Sequence, residues 1–103
     1  YRDMERDIEI IVSHFRNEAS GLFLAIVEDF ERHAEKLNRQ RDENVFQQMQ
    51  SRFVQELKKQ LSYIAEKVIG QYKGNTGINI LRRELTAQIE YYISEFLLKI
   101  RSM

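Results

Sequence analysis

Ile78-Asn-Ile-Leu-Arg-Arg-Glu-Leu-Thr-Ala-Gln-Ile-Glu-Tyr-Tyr-Ile-Ser-Glu-Phe-Leu-Leu-Lys-Ile-Arg-Ser-Met103 is the stretch that decides the fold. Its apolar residues Ile78, Leu81, Leu85, Ile89, Tyr92, Phe96, Ile100 and Met103 recur in steps of three and four, one face of an α-helix. A second apolar line, Ile80, Ala87, Tyr91 and Leu98, runs along the opposite side in steps of seven, four and seven. A helix with two apolar seams needs cover on both sides. One seam is expected to face the core and the other an interface.

Working back from this helix, Lys73-Gly-Asn-Thr-Gly77 is the clear break before it. Gly74 suits the left-handed residue that closes a preceding helix, and Thr76 or Asn75 suits the cap of the next. The helix before the break is expected over about 43–72. Its stripe is Phe46, Met49, Phe53, Leu57, Leu61, Ile64, Val68 and Tyr72, and its opposite face (Gln48, Gln55, Lys59, Ser62, Glu66, Lys73) is polar. Asn38-Arg-Gln-Arg-Asp-Glu-Asn44 offers nothing apolar and reads as a short turn, with Asp42 as N-cap, although neither Pro nor Gly forbids a continuous helix across it. The first helix is expected over about 3–38, with its stripe on Met4, Ile8, Ile11, Phe15, Ala19, Leu22, Ile26, Phe30, His33 and Leu37. The mean step is near the eleven-residue period of a nearly straight helix. Acidic residues crowd its start and basic ones its end, the favourable order for the helix dipole. Ala19-Ser-Gly21 and Ala25 inside it imply either close approach of another helix or a kink.

Short turns between long helices make sequence neighbours antiparallel. The fold class is therefore all-α: an antiparallel bundle of three long helices, of coiled-coil type, completed by self-association. The 103 residues read as one domain, 1–103, and the opening on Tyr is read as a processed chain or a fragment of something longer. With 43% apolar and 31% charged residues and no Pro, the composition favours helices over disorder or β-structure. Sixteen basic residues balance sixteen acidic ones, which removes an overall charge argument for nucleic acid. The distribution (six basic and nine acidic over residues 1–40) favours packing between helices over an outside polyanion. The longest uninterrupted apolar run, Leu22–Val27, is far shorter than a membrane span, and the expected location is cytoplasmic.

Candidate chemistry is sparse. There is no Cys, so no disulfide, thiolate ligand or thiol nucleophile. His33, with Asp29 one turn earlier, reads as a boundary histidine with an ion-pair partner; the Glu-x-x-His spacing of di-iron bundles is absent, and no metal or cofactor is expected. Gly74-Asn-Thr-Gly77 reads as a capping turn rather than an anion site, since it lacks the Lys-Ser/Thr of a P-loop. A ligand pocket lined by Tyr63, Tyr72, Tyr91 and Tyr92 has nothing to favour it over core packing. What remains is surplus apolar surface: Ile10 and Leu24 opposite the stripe of the first helix, and Ile80, Ala87, Tyr91 and Leu98 on the last. A seam spanning most of a helix marks an interface. The expectation is a non-enzymatic assembly or scaffold module that forms a homodimer through this seam, or packs it on another part of a longer protein. The alternative is a regulatory module that binds a partner helix in a groove between helices.

Overall fold

The computed structural model describes residues 2–72 and 76–103. Three helices, α1 (Arg2–Ala34), α2 (Glu43–Ile69) and α3 (Ile78–Arg101), form an all-α bundle measuring 56 × 19 × 19 Å. Each helix packs on both of the others. Cross-helix contacts fix the directions. Glu18, midway along α1, meets Lys67 (2.6 Å) near the end of α2, while Phe30 near the end of α1 meets Phe46 and Phe53 in the first half of α2. Those two helices are antiparallel. Arg82 at the start of α3 bonds Glu66 near the end of α2 (3.0 Å). α3 therefore runs parallel to α1, with Gly77 beside Met4 at one end and Phe96 against Phe30 further along. The order is up-down-up, as the short connections require.

The first connection is a true break. The Asn38 carboxamide oxygen accepts from the amides of Gln40 (3.1 Å) and Arg41 (3.2 Å), and the Asp42 carboxylate accepts from the Asn38 amide (3.0 Å). These side chains satisfy backbone donors in a non-helical path, which is why Asn and Asp stop a helix without Pro or Gly. Asp42 is the N-cap residue of α2, but its carboxylate serves this turn and not the helix. The Arg39 guanidinium lies 3.9 Å over the Phe46 ring, holding the turn to the start of α2. α1 ends at Ala34, four residues short of the expected limit, and the amides after it bond in tightened turns.

α2 ends at Ile69 and not at Tyr72, with Gly70 at its C-cap in a right-handed conformation. Gln71 and Tyr72 continue through bonds to Val68 and Ile69, each three residues back. Gly74 and Asn75, expected as the closing and capping residues, lie outside the described residues. The left-handed position is Gly77 (φ 86°), the N-cap of α3, and Thr76 makes no capping bond. Gly77 is required there twice over. Its φ disfavours any residue with a Cβ, and a Cβ would stand 2.7 Å from the Met4 sulfur.

The core follows the expected stripes on α2 and α3: Phe46, Leu57, Leu61 and Val68, then Leu81, Leu85, Tyr92, Phe96 and Ile100, are buried. α1 differs. Its buried line runs Ile8, Ile11, Phe15, Ala19, Phe23, Val27, Phe30, while Leu22 and Ile26 are only partly covered and His33 is exposed. The reason is that α1 faces two helices and needs a broad apolar sector. Phe23 is needed on the α3 side, where its ring meets Tyr92 (5.6 Å). Close approach accounts for two of the small residues: Ala19 is fully buried and the Ser20 hydroxyl bonds the Tyr92 hydroxyl (3.0 Å), whereas Ala25 is exposed. Gly21 takes no part in this, because a Cβ there would touch nothing within 4 Å.

Two predictions follow from this packing. Phe30→Ala removes a fully buried ring shared by all three helices and should destabilise by about 3–5 kcal/mol, read from chemical denaturation. The two glycines should respond with opposite signs: Gly21→Ala should raise the melting temperature by a few degrees (about 0.5–1 kcal/mol), and Gly77→Ala should lower it by more than that. A destabilised Gly21→Ala protein would mean that this part of α1 packs differently.

Candidate assembly surface

On α3, Ile80, Ala87, Tyr91 and Leu98 fall within about 40° of one another around the helix at ~100° per residue, and about 140° from the mean of the buried line. The structure leaves all four in solvent: Ile80 is 42% exposed, Tyr91 53% and Leu98 57%, with Ala87 also exposed. The opposite face of the same helix is closed, Leu81, Phe96 and Ile100 being fully buried. α3 is thus apolar on two sides and covered on one.

Tyr91 is not loose within this seam. Its ring stands edge to face with Tyr92 (5.6 Å, 71°), and Tyr92 is itself buried and anchored through its hydroxyl to Ser20 of α1. A chain of contacts from α1 therefore orients an exposed aromatic ring, which lowers the entropy lost when a partner covers it.

Ile10 and Leu24 are exposed as well, on one line along the outside of α1 with Asn17 between them at seven-residue steps. Ile10 has polar neighbours at three and four residues either side (Arg6, Asp7, Ser13, His14) and does not extend the α3 seam. Ile80 does join a larger feature. It borders a groove of about 800 Å³ between the first halves of α1 and α3, with Met4, Ile8 and Val12 as the apolar lining from α1. The rim carries Glu5, Glu9 and Glu84 against one cation, Arg16. Sequence periodicity assigned Met4 and Ile8 to the core; their partial membership of a groove wall depends on how far α1 and α3 separate at this end. Val45 (50%) and Tyr63 (73%) are also exposed, so the outside of α2 is less uniformly polar than its opposite face suggests.

The polar groups are scattered along the surface. His33 bonds the Asp29 carbonyl (2.8 Å) with the Asp29 carboxylate 3.6 Å away, in a solvent-exposed position against Phe53. His14 stands 3.3 Å from the Gln71 side chain on the α1/α2 side. Among the described residues no three His, Asp or Glu side chains converge as a metal would need. The four tyrosines do not form a pocket: Tyr63 is on the outside of α2, Tyr72 bonds the Thr76 carbonyl, and only Tyr91 and Tyr92 touch. By length and composition α1 is apolar enough to cross a membrane, which the six-residue run in its sequence did not reveal. A core helix passes the same test, but only 28% of this apolar window is buried: Phe15, Ala19, Phe23 and Val27 face α2 and α3, while Ile10 and Leu24 stay exposed and Val12, Leu22 and Ile26 are partly covered.

Comparison with models of known protein families, with characterised proteins and with solved structures gives no match to this chain.

Proposed function

We propose that the protein is a non-enzymatic assembly or scaffold module that self-associates through the outer seam of α3, most simply as a two-fold dimer in the cytoplasm. One observation carries this reading: a line of apolar residues persists along α3 after the three-helix core has been closed beneath it. Single exposed apolar residues are ordinary, but a line along most of a helix retains a driving force for association. The balanced net charge and the dispersed basic residues support a protein partner over nucleic acid. The groove between α1 and α3 favours a second reading, capture of a partner helix, because Met4, Val12 and Ile80 leave apolar surface along it.

Replacing Tyr91 with Glu and Leu98 with Lys in one chain should convert a dimer into a monomer of 12.4 kDa by light scattering while circular dichroism remains helical, because both side chains lie outside the core. A variant that keeps the parent's oligomeric mass and melting temperature would remove the seam from the interface. A monomeric parent would leave the groove as the better-supported reading.

A further inference from the structure

The spacing of the seam has a symmetry that neither groove binding nor simple hydrophobicity requires. Ile80 and Leu98 stand nine residues either side of Ile89, and Ala87 and Tyr91 stand two either side of it. The pattern of seven, four and seven reads the same in both directions along the chain. When two copies of a helix pair antiparallel about a two-fold axis, each residue meets the one equally far on the other side of the midpoint. Here that operation sets Ile80 against Leu98 of the second copy and Ala87 against its Tyr91, each twice. Large faces small at the centre, where the axis passes, so the ring of Tyr91 has space over Ala87.

Charge follows the same polarity. The groove beside Ile80 carries Glu5, Glu9 and Glu84 against Arg16 alone, whereas the last turn of α3 carries Lys99 and Arg101. Antiparallel pairing brings Lys99 and Arg101 of each copy towards the groove carboxylates of the other, at an end of α3 that also carries the exposed Arg82 and Arg83. The antiparallel register does bring Glu84 towards Glu95 of the second copy. Glu84 is exposed and Glu95 half-buried, so solvent screens the approach in part, and the exposed Lys99 of the second copy is on the same side.

We infer that a second copy of this chain occupies the seam, with the two α3 helices antiparallel and the two-fold axis crossing the seam level with Ile89, so that Ile80 of each copy lies against Leu98 of the other. The inference rests on the self-association proposed above and fixes its geometry. The chain has no Cys of its own, so cross-linking gives a direct test. Two single variants, Ile80→Cys and Leu98→Cys, are prepared separately and checked for unchanged circular dichroism. Each is oxidised alone and after mixing, and the sedimentation mass of the parent is measured beside them.

In the antiparallel register two copies of residue 80, or two of residue 98, lie about 27 Å apart at ~1.5 Å per residue, far beyond disulfide reach. Each variant alone should stay uncross-linked, and the mixture should give a mixed disulfide dimer as its main product. Dimers formed by each variant alone would show parallel pairing and overturn the inference. A parent of dimeric mass with no cross-link in the mixture would also overturn it, while leaving self-association standing. A monomeric parent that gives no cross-link would remove both.

Discussion

The ring of Phe30 is where the three helices meet. It is fully buried and stands edge to face with Phe46 and Phe53 of α2 and with Phe96 of α3, at centroid distances of 5.5, 5.2 and 5.7 Å. Edge-to-face contacts suit the aromatic quadrupole and add to the gain from burying the rings. Because Phe30 fixes the register of α1 against both neighbours, the turn at Asn38–Asp42 has to reverse the chain within a few residues of it. Asn38 and Asp42 do so by bonding backbone amides that the helix has released. At the far end Gly77 meets the same demand for tight reversal, with the Met4 side chain where a Cβ would have to stand.

That closure explains why the outer side of α3 reads as surplus. Each helix in a three-helix bundle has two neighbours and turns part of its circumference to solvent. α2 follows that rule with a single buried face, Val45 and Tyr63 being its exposed exceptions. α3 carries Ile80, Ala87, Tyr91 and Leu98 on the side that neither neighbour reaches. The contact from Ser20 through Tyr92 to Tyr91 ties this seam to the core, so α1 contributes to the order of a surface it does not cover.

Much of this was legible in the residues because helical periodicity reports which face is apolar. The two lines on α3 separated as read, and all six residues picked out as surplus, Ile10, Leu24, Ile80, Ala87, Tyr91 and Leu98, are exposed. The stripe on α1 was drawn through Leu22, Ile26 and His33, whereas Phe23 and Val27 are the deeply buried residues. A single line cannot represent a helix that faces two partners, and the sequence does not state the angle between them. The groove beside Ile80 was out of reach for a similar reason. Met4, Ile8 and Val12 have the spacing of core residues, and only the separation of α1 from α3 decides whether a cleft opens over them. Helix ends fall up to four residues inside the limits the pattern suggests, since fraying and tightened turns depend on local bonds such as those of Gln71 and Tyr72.

Sedimentation equilibrium of the unaltered protein, from micromolar to several hundred micromolar, tests most directly the claim that this bundle exists to assemble. Association through the α3 seam predicts a weight-average mass that climbs from 12.4 kDa towards twice that value as concentration rises. A mass fixed at 12.4 kDa across the whole range would contradict it.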